Sequence, residues 1–223
     1  MIESRAGKLW HKALSVYYRQ GLVSLVKQST LYLLANGLMY KQIVLYENDF
    51  KNIPANNHRR ENWTLKRITK PVEVEELLEQ GFDFDSYKKF YRDTYDLKGT
   101  LAKGVVLFAV FADKHLAHTT FVAYNDNAKQ DIDIIPYRVK FEAGEVSHGG
   151  SETSPRYRLM GIHSYALREM FLFLRESGCS VDKFAVVKTD AISRHVVEKL
   201  GSKVCGRGTL IKVLVWPHWH ERS

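Results

Sequence analysis

The chain has 223 residues and a mass of 25.8 kDa, enough to bury one sizeable core with a small appendage but cramped for two full domains. Apolar residues make up 45% and aromatics 12%, which excludes the low-hydrophobicity, high-charge composition of a disordered chain. Cys179 and Cys205 are too few for a secreted disulfide framework and no signal peptide opens the sequence, so a reducing, cytoplasmic setting is expected.

The net charge of +8 is concentrated at the start: residues 1–60 hold nine basic residues against Glu3, Glu47 and Asp49. The longest uncharged run there, Gln28 to Tyr40, is 13 residues, short of the roughly 20 that a spanning helix needs. Residues 8–40 place Leu9, Ala13 and Val16, then Trp10, Leu14 and Tyr17, then Leu22, Leu25 and Val26 at helical spacing, which predicts two helices broken near Gln20-Gly21. Such a basic, aromatic element reads either as a peripheral anchor on an anionic membrane surface, on the inner face, or as an extension packed on the domain or on a second subunit. The polar, turn-rich run Asn52 to Asn62 sets the expected boundary between an extension, 1–60, and a catalytic domain, 61–223.

The domain reads as alternating strands and helices. Trp63 to Thr69 is an expected strand, and Pro71 opens a helix closed by Gly81. A weaker helix covers Asp85 to Tyr95; Val105–Ala112 and His115–Tyr124 form two strands about a tight turn; Asn125 to Asp131 is a polar loop. Ile132 to Phe141 alternates as a strand, with Tyr137, Val139 and Phe141 on one face. Gly149-Gly150 marks a bulge or kink. An amphipathic helix over Gly161–Ser177, a buried strand over Lys183–Lys188 and a helix over Ala191–Leu200 follow. Lys203 to Trp216 reads as a hairpin turned at Gly206-Arg207-Gly208.

The informative stretch is Ser154-Pro155-Arg156-Tyr157-Arg158-Leu159-Met160-Gly161-Ile162-His163, between a strand and a long helix. The start of a helix presents main-chain N–H groups without intrahelical partners and carries partial positive charge. Gly161 permits close approach and Arg158 adds a fixed charge, so a phosphate would suit this turn. His218 and His220, without a Cys or carboxylate nearby, make a poor metal pair, and no metal is expected.

The segment SPRYRLMGIHSYALREMFLFLRESG resembles the acetyl-CoA-binding motif A of the GNAT acetyltransferases, Q/R-x-x-G-x-G/A, with Arg158 and Gly161 at its first and fourth positions. His163 stands at the last position and Leu159 where a Gly is frequent. DAISRHVVEKLGSKVCGRG, from Asp190 to Gly208, is similar to the family's following helix and strand, with Ser193, Glu198, Lys199, Leu200 and Gly201 matching. The resemblance implies a mixed, mostly antiparallel twisted α/β sheet of six to seven strands flanked by helices, with an N-terminal helical extension. Two of its strands would splay apart around the arm of acetyl-CoA or another acyl-CoA as co-substrate. Arg158, Leu159, Met160, Gly161, Ile162 and His163, with Asp190 and Ser193, are the implied cofactor-binding residues.

Transfer to an amine requires a group that takes the amine proton, a role suited to a carboxylate in a desolvated cleft. Glu145, thirteen residues before Arg158, has the spacing of the family's base, with Glu152 and His148 as competitors. The family's proton-donating Tyr is replaced by Val197. The expected activity is acyl transfer to a primary amine, an amino sugar or another envelope precursor among them, by a monomer or homodimer. The alternatives are a non-catalytic module at a membrane surface and an aminoacyl-tRNA-dependent transferase. Nucleic acid is not an expected partner, because the basic residues form no recognisable binding motif.

Overall fold

A computed structural model describes residues 17–18, 21–24, 26–27, 38–55, 60–87, 96–213 and 216–222. The described residues between 17 and 27 are helical, as their spacing predicts. The rest of the two expected N-terminal helices up to residue 37, and most of the helix expected over 85–95, lie outside the described residues.

Among the described residues eight strands form one sheet: β1 (Leu38–Asn48), β2 (Trp63–Ile68), β3 (Val106–Ala112), β4 (His115–Ala123), β5 (Glu145–Thr153), β6 (Val181–Val187), β7 (Lys203–Val213) and β8 (Trp216–Arg222). Their order is β2-β3-β4-β5-β6-β1-β7-β8, and every adjacent pair is antiparallel except β5–β6. The helices are α1 (Pro71–Glu79), α2 (Leu97–Ala102), α3 (Asp126–Ile132), α4 (Ile162–Glu176) and α5 (Ala191–Lys199).

One strand overturns the expected boundary at residue 60. β1 lies in the interior of the sheet between β6 and β7, so residues 38–48 are part of the sheet and not of a preceding extension. Ile43, Val44, Leu45 and Tyr46 are each 4% exposed or less. A run apolar at successive positions is what a strand covered on both faces requires. Val44 and Tyr46 pack with Leu167, Met170, Phe171 and Leu174 of α4 and with Val197 of α5. Ile43 and Leu45 pack on the opposite face with Ile135, Tyr137 and Val139.

That second covering layer corrects another expectation. Residues 133–140 alternate as predicted, with Ile135, Tyr137 and Val139 buried, but pair with no strand. They cross the sheet face as extended chain, because alternation reports only which side chains are buried and not whether the main chain has a ladder partner. The expected loop just before them is helix α3: the Asn125 side chain caps it by accepting the Ala128 N–H at 2.9 Å. Its buried apolar positions, Ala128 and Ile132, are separated by one turn among charged residues that mask the period.

At the far end, the chain does not turn at Gly206–Gly208. β7 continues to Val213 and pairs antiparallel with β8, with Val213 opposite Trp216 and Gly208 opposite Glu221. Gly208 is there for space: a Cβ would lie 2.2 Å from Cη2 of Trp219 on β8. Pro217 is tolerated because β8 is an edge strand.

Candidate functional site

The site is built around the one parallel pair. β5 and β6 share only two register positions, Glu145 with Val181 and Val146 with Asp182. At the next step the His148 N–H donates to Asp182 Oδ1 at 3.1 Å, so a buried carboxylate takes the place of a ladder carbonyl. Beyond it the strands part, and from His148 to Thr153 the β5 edge faces a gap about 17 Å long at the usual rise per residue. The opposite edge of β5 stays paired to β4, with a bulge: Thr120 faces two residues, Gly150 and Ser151. Gly150 has φ +58°, and a Cβ on Gly149 would come within 2.9 Å of the Ile132 carbonyl oxygen. Both glycines are thus required by the backbone at the bend, as the sequence suggested.

The loop from Ser154 follows directly on the end of β5. The Ser154 N–H donates to the Ala117 carbonyl at 2.9 Å, a short 3-10 turn covers Pro155–Tyr157, and α4 begins at Ile162. Gly161 (φ +85°) precedes the helix, and nothing lies within 4 Å of the position its Cβ would take. The first helical bond here runs from the Tyr165 N–H to the Gly161 carbonyl. Among the described residues no protein acceptor meets the N–H groups of Leu159, Met160, Gly161, Ile162, His163 or Ser164. A row of orphaned donors at the positive end of a 15-residue helix suits an anion.

The expected loop residues divide by what their side chains do. Leu159 is 93% exposed at φ +60° and Met160 is partly exposed, so both flank the row of donors. The Ile162 side chain is buried against Trp63, Val110 and Ala112, leaving only its N–H to a ligand. Arg158 folds back on the end of β5, its Nε donating to the Thr153 carbonyl at 3.1 Å and its Nη2 to Glu152 Oε1 at 2.9 Å. The His163 ring turns inward onto His118 at 5.1 Å between centroids. Burial, then His148 nearby, pull the His163 imidazole down to about 4, against the opposing charge of Asp190.

Asp190 and Ser193 lie at the start of α5. Asp190 accepts from the Ser193 N–H at 3.0 Å and from its hydroxyl at 2.8 Å, so both carboxylate oxygens serve as the helix cap. Val197 is core, 2% exposed. The hydroxyl that reaches α5 comes instead from Tyr46 on β1, which donates to Glu198 and accepts from Arg194 Nε at 3.1 Å. Burial and the Glu198 bond raise the Tyr46 phenol, with Arg194 opposing.

Glu145 sits at the closed end of the gap, eight residues from Thr153, or about 26 Å along the strand. Its Oε1 meets Lys183 Nζ at 2.9 Å and its Oε2 accepts the Lys140 N–H at 2.7 Å. Burial alone would raise this carboxyl, but the Lys140 N–H and Lys183 outweigh it and hold the group below its ordinary range. The structure therefore does not bring Glu145 and the loop together.

A polar cluster lies where the strands part. His148 Nδ1 is 2.5 Å from Asp182 Oδ2, the pair being 5% and 0% exposed, and the ring lies 4.0 Å from Phe184. His118 is held on both nitrogens, by Thr153 Oγ1 at 2.7 Å and Thr120 Oγ1 at 2.9 Å, and Thr120 continues to Ser151 at 2.9 Å. Burial, then His163, push the His118 imidazole well below its ordinary value. Sequence reasoning missed His118, Asp182 and Tyr46. Thr120 apart, their partners are 30 or more residues away in the chain, and only the strand order joins them.

No group of three or more metal-ligating side chains is found among the described residues. No described helix is long and apolar enough to cross a membrane.

No protein-family profile and no curated protein sequence matches the chain. Among solved structures, a GCN5-related N-acetyltransferase from Kribbella flavida is similar with a TM-score of 0.50 and 12% identity, over 92% of this chain and 65% of its own. One from Sphaerobacter thermophilus gives 0.48 and 14%, over 91% and 57%. A GCN5-related N-acetyltransferase-like protein from Streptococcus suis gives 0.49 and 11%, over 92% and 69%. The chain thus spans 57% to 69% of the length of these three proteins. With its mostly antiparallel sheet, single parallel pair and flanking helices, the chain has the fold of the GNAT superfamily.

Proposed function

We propose that the chain is an N-acyltransferase that moves an acetyl or longer acyl group from acyl-CoA to a primary amine. One observation carries this reading: β5 and β6 pair only at Glu145–Val181 and Val146–Asp182, and β5 then leads into the loop whose N–H groups at Leu159–Ser164 are unpaired among the described residues. A diphosphate on those donors would leave an extended thiol arm free to run down the gap, where unpaired strand edges can receive its amides. Gly161 leaves room for the phosphate, and Leu159 and Met160 offer apolar contact beside it. The arm would end near His148, where the thioester is shielded from water by Phe171 and Phe184.

The acceptor reading is an amino sugar or lipid-linked amine of the cell envelope. It is supported by the basic charge of residues 1–60 and by Tyr18, Leu22, Val23 and Val26, which are 57% to 84% exposed on the N-terminal helix. An apolar face next to basic side chains suits an anionic bilayer. The test has two parts. Isothermal titration should show CoA binding, and thioester consumption should appear with at least one member of an amine panel of amino sugars, amino acids and lipid amines. Absence of CoA binding at high micromolar concentration would defeat the reading. Retention on phosphatidylserine vesicles but not on phosphatidylcholine vesicles, lost at high salt, would support the membrane part.

A further inference from the structure

Three imidazoles lie near the start of α4, and their hydrogen bonds separate them. His118 has both nitrogens occupied by threonine hydroxyls. His163 packs on His118 and is pulled down to about 4, so it is neutral over the working range. His148 differs from both. A carboxylate can only accept, so Nδ1 carries the proton given to Asp182, and in the neutral tautomer the lone pair is then on Nε2. Nε2 meets no protein partner among the described residues. The residue is buried to 5% exposure at the point where β5 and β6 separate.

Building on the acyl-transfer reading, we infer that His148 takes the acceptor amine's proton and that Asp182 positions it. The amine lone pair forms the C–N bond at the thioester carbonyl, the C–S bond breaks, and sulfur leaves with the electron pair. The proton released by nitrogen passes to His148 Nε2, and the resulting imidazolium is held by the Asp182 carboxylate. The products are an amide and a thiol or thiolate, so no oxidant or further reactant is needed. The other ionisable groups facing the pair are His163 from α4, Asp133 from the segment after α3, Tyr124 from the end of β4, Cys179 after α4, and Tyr137 from the covering segment. None of these donates to or accepts from Nε2 among the described residues. Glu145 is tied to Lys183 and Lys140 at the closed end and does not compete for the proton.

Carbethoxylation by diethyl pyrocarbonate, followed by peptide mass spectrometry, tests this without knowledge of the acceptor. In the free protein His148 should react at Nε2 while His118 stays unmodified. Acetyl-CoA at ten times its Kd should slow the His148 reaction by roughly tenfold, as mass action on a covered site requires. The nucleotide half alone, 3′,5′-ADP, should bind the loop and leave His148 reactive. Equal protection by 3′,5′-ADP, or an inert His148, would overturn the assignment. With any amine that the protein acetylates, His148→Gln should retain CoA affinity and lose about 10²- to 10⁴-fold in kcat. Asp182→Asn should lose less. CoA affinity unchanged with kcat intact in His148→Gln would refute the role of His148 alone, whereas failure of the wild-type protein to bind CoA would refute the underlying reading.

Discussion

Protonation of His163 should cost the folded protein much of its stability in mild acid. The ring is packed on His118, and burial, then the nearby His148, pulls the imidazole from 6.5 to about 4 against the charge of Asp190. The group is depressed on folding, so the unfolded chain binds the proton first. Its stabilising contribution is complete above about pH 6.5 and is lost as pH falls toward 4. A fall from 6.5 to about 4 corresponds to about 3 kcal/mol at full burial, and to about 2 kcal/mol for a partly buried ring. His118 is moved in the same direction and steepens the same window. The perturbation is His163→Phe, which keeps an aromatic ring against His118 and removes the titrating group. Urea unfolding of both proteins at pH 7, 6, 5 and 4, read by tryptophan fluorescence, gives the two stability curves. The difference between them should close by about 2–3 kcal/mol from pH 7 to pH 4, in favour of the variant. Parallel curves would show that the imidazole does not titrate in that window on folding, and the packing argument would fall.

Three further outcomes follow from local geometry. Gly208→Ala places a Cβ 2.2 Å from the Trp219 ring and should destabilise the protein by roughly 1–3 kcal/mol in chemical denaturation. Gly206→Ala, whose Cβ would meet Leu45 Cδ1 at 3.3 Å, should cost less. Asp190→Ala removes the α5 cap and should cost about 1 kcal/mol, with CoA affinity by isothermal titration unchanged if both its oxygens serve only Ser193.

The sequence carried much of this fold because side-chain burial leaves a period in it. α4 is the clearest case: Ile162, Tyr165, Ala166, Met170 and Leu174 mark one face, and Gly178 at φ +78° ends it. The glycine pair at the β5 bulge was equally readable, since only glycine suits that backbone. What was missed is relational. β1 reads locally as a short apolar run after a basic helix, and nothing nearby says that its partners are β6 and β7, more than 130 residues on. The 133–140 segment shows that strand periodicity can arise from lying on a sheet as well as from joining one. The strand-to-helix loop at Ser154–His163 was legible because it is contiguous. The His148–Asp182 pair joins strands separated by a whole helix, and Glu145 has the expected spacing but the wrong end of its strand.

The central claim is that the unpaired main-chain donors from Leu159 to Ser164 grip a diphosphate, and amide NMR reads those donors directly. In a ¹H–¹⁵N titration with CoA, the resonances of Leu159, Met160, Gly161, Ile162, His163 and Ser164 should show the largest shifts in the protein, in the downfield direction of a new charge-assisted hydrogen bond, and 3′,5′-ADP should reproduce a smaller subset. If CoA binds and these amides stay in place while others move, the diphosphate lies elsewhere and the proposed site is wrong.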